Sequence, residues 1–366
     1  MRVTLTYNIK KEEHLTELSS FKNRDGLKYF IDNNFITNYA ERINDTYAEW
    51  DSFETIDAIR VALENRSYQV TLVEADINVC ENLKASDPDI VFNIAEGFWG
   101  PSRESQVPAI LEMLNIPFTG SDSITIGICH DKARCKEILS YNKIPNADFF
   151  IAESPVNKKK LKFPKFVKPL HEGSSKGIYN SSVVYDLNQL NSEIERIKTT
   201  YNQPSLVEDF LEGKEFTVAM LGNYESVKIL PIVEVKLDSV PEGFPNIYSY
   251  EVKWFFDTRE NQLDIFNCPA KLDSSLQERI EKVCMATFKA LRLRDWARID
   301  LRLDKDNIPN VLEVNPLPGI LPDPRDNSCY PKAARAAGMD YETMINSVLN
   351  EAISRYKLNE KFSLSK

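Results

Sequence analysis

ARIDLRL (residues 297–303) and NVLEVNP (310–316) are the two runs on which the reading of this chain turns. In the first, apolar Ile299, Leu301 and Leu303 alternate with Arg298, Asp300 and Arg302, the period-two pattern of a half-buried strand. DKDN (304–307) supplies a turn that sends the second run back antiparallel. A turn centred between Asp306 and Asn307 sets Asp300 opposite Glu313 and Arg298 opposite Asn315. Like charges facing each other on one sheet face destabilise it unless something neutralises them. A hard divalent ion would do so: Mg²⁺ takes a few carboxylate or amide oxygens, keeps some waters and draws its other ligands from phosphates. A solvated strand face is the bland alternative, and the rest of the chain decides between the two.

With 366 residues the chain is long enough for two or three domains, because single cores stop growing at roughly 250 to 300 residues. Lys plus Arg number 45 against 55 Asp plus Glu, a net charge of −10. That balance argues against a broad electrostatic grip on nucleic acid or anionic lipid, so any basic site is local. No apolar run approaches the roughly 20 residues of a membrane span, and MRVTLTYNIKKEE lacks a signal-peptide core. A cytoplasmic protein with neither membrane nor nucleic acid as partner is expected. Cys80, Cys129, Cys135, Cys268, Cys284 and Cys329 form no CxxC pair and read as reduced thiols rather than a zinc site or disulfide frame.

Strand and helix alternate through the first third: RVTLTY, a helix from about Ser52 to Asn65, YQVTLVEA, a short helix to Lys84, then DIVFNI. Such alternation predicts a parallel sheet covered by helices, a Rossmann-like domain over residues 1–120. Residues 10–50 make a polar insertion too long for a normal βα connection and read as an inserted helical hairpin or lid. A second unit, 121–206, carries helix DKARCKEILSYN, strand FPKFVKPL, a Gly/Ser loop and helix LNQLNSEIERIK. The third, 207–366, opens in the strand SLVEDFL. It continues through FTVAMLGN, VKILPIVEVKL, a loop at 238–269, a helix at 274–293, the hairpin and a C-terminal helix. The class is α/β, becoming α+β in the C-terminal part.

HEGSSKG (171–177) follows a strand ending in Val167, Lys168 and Pro169. Glycines without Cβ atoms let backbone N–H groups approach a phosphate, and the hydroxyls of Ser174 and Ser175 add donors. GxxxxGK[ST] is absent, so this is not a P-loop. Lys168 can set a positive charge beside the loop. In VEDFLEGKEF (207–216), at the junction of the second and third units, Glu208 can accept from an adenine amino group and Glu215 from ribose hydroxyls. YSYEVKW (248–254) lies in a long loop, a common place for an active-site lid, and its Lys253 can reach a γ-phosphate.

The ordered set resembles the ATP-grasp superfamily, most closely the D-alanine:D-alanine ligases, across residues 89–323. NIAEGFWGPSRESQVPAILEMLNIPFTGSD looks like the family's glycine-and-acid segment and its "IPYTGS" junction. HDK with Lys132, FVKP with Lys168, EGSSKG, VEDFLEGKEFTVAMLG, YEVK with Lys253, RID and LEVNPLPG follow in family order. The resemblance implies three α/β domains with ATP between the second and third. It assigns Asp300, Glu313 and Asn315 to two Mg²⁺ ions, with Mn²⁺ an admissible substitute and Glu313 touching both. It gives the phosphates to Lys132, Lys168 and Lys253, and the covering loop to Glu172, Gly173, Ser174, Ser175 and Gly177. The nucleoside falls to Glu208, Phe210, Leu211 and Glu215. Arg298 and the Gly319 N–H would stabilise the oxyanion of acyl transfer, with Lys253 and Ser174 joining them in catalysis. Glu96, Glu104 and Tyr250 fall on the substrate side, and a homodimer is expected by analogy.

On this resemblance a carboxylate attacks the γ-phosphate, and an amine then attacks the acyl phosphate to give an amide, ADP and phosphate. Three departures bear on the substrates. After LEVNPLPG the chain reads ILPDPRD, so Asp323 and Pro324 replace a Ser/His-type segment whose hydroxyl receives the acceptor's carboxylate, with Arg325 as the substitute partner. The early Glu/Ser loop that receives the first ammonium is not clear after RVTLTY, leaving Glu49, Asp51 or Glu54 to stand in. The insertion at 10–50 has no counterpart in short family members. These favour a specialised amino-acid ligase. A genuine D-alanine:D-alanine ligase of cell-wall synthesis, an ATP-grasp kinase and a non-catalytic nucleotide sensor are the alternatives. His14, His130 and His171 are dispersed and no GxSxG is present, so no histidine receives a catalytic role.

Overall fold

A computed structural model describes residues 1–10, 48–157, 160–237, 240, 245–253, 259 and 263–359. Most of the insertion expected at 10–50, and much of the lid loop at 238–269, lies outside those residues. The chain opens with strand β1 (Arg2–Tyr7), helix α1 (Phe53–Glu64), β2 (Gln69–Glu74), α2 (Val79–Ser86) and β3 (Ile90–Asn93). The strands form a parallel sheet in the order β2-β1-β3, as their alternation with helices predicts. Helix α1 starts where the Ser52 hydroxyl accepts from the Thr55 N–H, and it buries Ile56, Ile59 and Leu63 at helical spacing. Helices α3 (Gln106–Met113), α4 (Ser123–His130) and α5 (Lys132–Tyr141) lead into the central unit. Asp131 both ends α4 and caps α5, accepting from Ala133 and Arg134.

The central sheet runs β4-β7-β5-β6, built from β4 (Phe149–Ala152), β5 (Lys165–Pro169), β6 (Val183–Val184) and β7 (Ser205–Asp209). Helix α6 (Leu187–Tyr201) covers it with Leu190, Ile194 and Ile197. The sequence reading opens the third unit inside SLVEDFL, but that strand is β7 and pairs on both sides within the central sheet. The C-terminal sheet begins only at β8 (Glu215–Leu221). It runs β11-β10-β8-β12-β13 from β10 (Val233–Val235), β11 (Phe266–Asn267), β12 (Trp296–Leu303) and β13 (Pro309–Asn315), with β9 (Lys228–Ile229) on β8. VKILPIVEVKL is split into β9 and β10 around Pro231, which has no N–H for a ladder. Helix α7 (Ser274–Ala290) backs this sheet, setting Ile280, Cys284 and Phe288 against Ile299, Leu301 and Val311. Two helices close the chain rather than one, α8 (Cys329–Ala336) and α9 (Tyr341–Arg355), separated where Gly338 takes a φ of +84°.

Hairpin register agrees with the sequence where it matters: Arg298 pairs with Asn315, Ile299 with Val314 and Asp300 with Glu313. Beyond Asp300 the register shifts, Leu301 pairing with Val311, so Leu312 is the extra residue of a bulge. One large core joins the two ends of the chain: Val3, Leu5, Ile56 and Phe92 from the first unit share it with Trp296, Tyr330 and Val348. Trp296 stands edge-on to Phe92 (5.9 Å) and to Tyr330 (5.5 Å). Among the described residues no helix is long and apolar enough to cross a membrane.

This junction is pinned by Asp295, wholly buried, which accepts from Arg355 Nε (3.0 Å) and Nη2 (2.7 Å), the Gly120 N–H (2.7 Å) and Asn223 Nδ2 (2.9 Å). Removing one partner of a buried ion pair strands the other charge. Arg355→Ala is therefore expected to destabilise the protein by about 3–5 kcal/mol, read as a lowered urea midpoint by tryptophan fluorescence.

Candidate active site

A cavity of about 280 Å³ opens where the central and C-terminal sheets meet the first unit. The hairpin supplies one wall through Arg298, Asp300, Glu313 and Asn315. Because Ile299 and Leu301 turn into the core behind, the alternate residues of β12 face the cavity. Lys168, Glu172, Gly173, Ser174 and Ser175 form the opposite wall, Glu208, Phe210, Leu211 and Glu215 one end, and Lys253 and Gly319 a flank. Lys132 lies at the start of α5, and Glu96 and Glu104 line the far arm. Of the sequence candidates, Gly177, Tyr250, Asp323, Arg325 and Glu54 stand outside the lining.

Asp300 is enclosed by donors. Oδ1 accepts from the Thr217 hydroxyl and from Arg298 Nε (3.0 Å), and Oδ2 from Arg298 Nη2 (2.9 Å) and Asn315 Nδ2 (3.1 Å). Glu313 Oε1 lies 2.9 Å from Lys132 Nζ. Burial would raise the Glu313 carboxyl, yet Lys132 and Lys168 outweigh it and hold it below the usual range. The neutralisation that the sequence argument gives to a metal is thus supplied in part by the chain's own Arg298 and Lys132. Two carboxylates and an amide oxygen still make a hard donor set that fits Mg²⁺. Among the described residues no group of three or more His, Cys, Asp or Glu is placed to hold a metal, so the hairpin's donor set depends on the Asn315 amide as its third member.

Lys168 does not wait unpaired for a phosphate. Its Nζ lies 2.7 Å from Glu208 Oε1, and Lys136 Nζ lies 2.8 Å from Glu208 Oε2, all three side chains being almost fully buried. Burial alone would raise the Glu208 carboxyl, but the two ammoniums prevail and hold it down to about 2. Sequence reasoning missed Lys136, although it falls one turn after Lys132 on the same helix. It also gave no role to Arg302, which lines the cavity 3.2 Å from Glu215 and 4.9 Å from the Phe210 ring centroid.

In the Gly/Ser loop Ser174 and Ser175 hold φ values of 50° and 60°, a left-handed conformation unusual for serine. The Ser175 hydroxyl donates to the Tyr248 carbonyl (3.0 Å). Gly177 has a structural task instead, since a Cβ there would stand 2.4 Å from the Pro169 ring. Tyr250 lies edge-on to Tyr179 and donates its N–H to the Ile178 carbonyl (2.8 Å), fastening this loop from outside.

Of the three acids offered for an ammonium, Glu49 and Asp51 line the cavity, while Glu54 turns away to Arg259 (2.8 Å). Burial raises Asp51 to about 7 despite Lys10. It also raises Glu96 well above the usual carboxylate range, with Glu104, Glu49 and Asp51 adding to the shift. His130, given no chemistry from sequence, joins this arm: Nδ1 is 2.6 Å from Glu104, and buried Nε2 has no hydrogen-bond partner. Asp323 and Arg325 pair with each other (2.6 Å) outside the lining, although Leu321 and Asn327 of the same loop belong to it. A hydroxyl does line the cavity a few residues further on, at Ser328, the residue preceding α8, beside Asn327 and Cys329. Its Oγ accepts from the Leu321 N–H and donates to the Gly319 carbonyl, both at 3.2 Å. The signal was the hydroxyl directly before the helical run CYPKAARA.

Two antiparallel sheets clasping a cavity, with lysines and a Gly/Ser loop on one wall and a carboxylate hairpin on the other, define the ATP-grasp class of fold. The D-ala D-ala ligase C-terminus family model matches residues 138–350. A protein of Sinorhizobium fredii, "Uncharacterized protein y4sG", is 34% identical over 337 residues, covering 88% of this chain and 96% of its own. The D-alanine–D-alanine ligase of Aquifex aeolicus is 32% identical over 302 residues, 81% of this chain and 94% of that protein. The crystal structure of Bacillus anthracis D-alanine–D-alanine ligase complexed with ATP superposes with a TM-score of 0.68 at 25% identity, over 98% of this chain and 99% of that one. The chain belongs to the D-alanine–D-alanine ligase family of ADP-forming carbon–nitrogen ligases.

The paired lysines set an acid response. A carboxyl held at about 2 against a usual 4.5 contributes stability that is complete above about pH 4.5 and is lost as pH falls toward 2. Lys136→Met removes one ammonium and lets the Glu208 pKa rise. The variant should therefore start from a lower urea midpoint at pH 7 and lose less of it than the unmodified protein as the pH is taken from about 4.5 to 3, because its folded and unfolded Glu208 pKa values lie closer together.

Proposed function

We propose that the cavity binds ATP with Mg²⁺ and joins the carboxylate of an amino acid or related acid to an amine, through an acyl phosphate. The observation that carries this reading is the single cavity shared by Asp300, Glu313 and Asn315, by Lys132, Lys168 and Lys253, and by the Gly/Ser loop. Lys132, Lys168 and Lys253 hold phosphate oxygens under Ser174 and Ser175. Glu208, Phe210, Leu211 and Glu215 receive the nucleoside, with Arg302 behind them. Asp300, Glu313 and Asn315 would hold two Mg²⁺ ions, which neutralise phosphate charge when bound.

The substrate carboxylate attacks the γ-phosphorus and ADP departs. The amine then attacks the acyl carbon and phosphate leaves, so the amide forms with the overall loss of water to phosphate. Arg298 engages Asp300 through Nε and Nη2, which leaves Nη1 to meet the developing oxyanion beside Gly319. An acyl oxyanion site serves no purpose in simple phosphorylation, which favours the ligase over the kinase. Ser328, at the start of α8, takes the role of acceptor-carboxylate donor that the sequence reading denied to 323–324. The specialised reading therefore rests on the acid-rich arm of Glu49, Asp51, Glu96 and Glu104. Such a chemistry belongs in the cytoplasm, where ATP and magnesium are at hand, and a homodimer is the proposed assembly.

Screening amino acids and amines for ADP release, with mass analysis of products, should reveal amide formation with D-alanine alone a poor substrate pair. Efficient D-alanyl-D-alanine synthesis would make the chain a genuine cell-wall ligase, and a phosphorylated product without amide would make it a kinase. Asp300→Asn should lower amine-dependent ADP release about 100-fold or more, and retained activity would refute the metal assignment. Burial, with Arg298 and Lys10 nearby, lowers the Lys253 ammonium to about 8. Its positive charge is full well below that pH and is lost as pH rises through it. Accordingly kcat/KM for ATP should decline above about pH 8, and Lys253→Arg should shift that decline to higher pH.

A further inference from the structure

Arg103 begins a single 3-10 turn (Arg103–Ser105) after two glycine bends, and its guanidinium reaches from the first unit to the root of the Gly/Ser loop. Gly97 makes that placement feasible, because a Cβ there would stand 2.4 Å from the Arg103 carbonyl oxygen. Nη2 donates to both carboxylate oxygens of Glu49 (2.8 and 2.6 Å) and to Glu172 Oε2 (3.1 Å), and Nη1 donates to the His171 carbonyl (2.9 Å). Glu49 also accepts from the Gly173 N–H, while Glu172 is held by Lys176 (2.8 Å) and Gln203 (2.7 Å). Lys132, on Glu313 at one side, donates to the Glu172 carbonyl at the other. The side chains of Arg103, Glu49 and Glu172 are each less than a tenth exposed.

A buried cation between two carboxylates from different units acts as a clasp. Without it, Glu172 keeps Lys176 but Glu49 loses its paired guanidinium out of water, and separation from the loop root relieves that unmatched charge. The segment released would be His171, Glu172 and Gly173, which carry Ser174 and Ser175 over the cavity. Glu49 faces the substrate arm as well, so the clasp lies between the acid substrate and the phosphate cover.

We propose that Arg103 is a positioning residue that clasps the Gly/Ser loop to the first unit and so keeps water from the acyl phosphate. This rests on the ligase reading. With the clasp gone, water replaces the amine: it attacks the acyl carbon, the bond to the phosphate oxygen breaks, and the acid returns with free phosphate. ATP is then consumed without amide.

The test compares the full-length protein with Arg103→Gln and Arg103→Lys in two measurements. Hydrogen–deuterium exchange of residues 171–178, in the absence of ligand, should rise about tenfold or more in Arg103→Gln, with the Trp296–Asn315 hairpin unchanged. ADP released per amide formed should rise by about the same factor, whereas a loss of fold alone would lower both products together. Arg103→Lys keeps one charge-assisted bond and should fall between. If Arg103→Gln does not fold, Gly173→Ala serves, since its Cβ would stand 2.9 Å from Glu49 Oε1 and press the clasp apart. Unchanged exchange at 171–178 in a folded variant, or an unchanged ADP-to-amide ratio, would overturn the proposal. Failure of the unmodified protein to form any amide would instead sink the ligase reading, and the exchange measurement would still decide the clasp.

Discussion

Everything else in this structure is arranged around one electrostatic fact: Asp300 and Glu313 face the same side of a hairpin, and both are only partly exposed to water. Arg298 comes from the same strand as Asp300, two residues away and on the same face, and Lys132 comes from the start of α5. The facing carboxylates of the hairpin are therefore each already matched by a cation of the chain. Magnesium and phosphate would arrive as a further balanced pair, drawing the lysines from carboxylate to phosphate rather than having to recruit them. A low-dielectric pocket makes each such exchange of partners count for more than it would in water.

The same pattern repeats at the nucleoside end and at the loop root. Glu208 lies between Lys136 and Lys168, Glu215 beside Arg302, and Glu49 and Glu172 beside Arg103. The substrate arm departs from it. Glu96 and Asp51 are pushed toward the protonated form by burial, and His130 presents a buried nitrogen without a partner. On the proposed reading, a site whose carboxylates are paired at the phosphate end and unpaired at the other is poised to recognise something polar in the second place. That asymmetry bears on substrate choice more directly than any single sequence motif.

Packing gives this electrostatic site its rigidity. Trp296 opens β12 and is wedged between Phe92 of the first sheet and Tyr330 of α8, so the strand that carries Arg298 and Asp300 is fixed to both ends of the chain. The bulge at Leu312 then lets the hairpin twist without disturbing the facing pair.

The sequence by itself determined the periodic elements and the local register. Alternation in ARIDLRL and the position of its turn are properties of neighbouring residues, so the apposition of Asp300 with Glu313 could be read directly from them. The order of motifs was equally legible and led to the family. Only the tertiary structure decided which charges meet. Lys136 finds Glu208 because β7 joins the central sheet, and Arg103 finds Glu172 because the first unit leans on the loop root. Ser328 stands at the cavity because its hydroxyl ties the start of α8 back to Gly319 and Leu321. Partners tens of residues apart are chosen by sheet pairing and by the cost of burying an unmatched charge, and neither is written in any short stretch of chain.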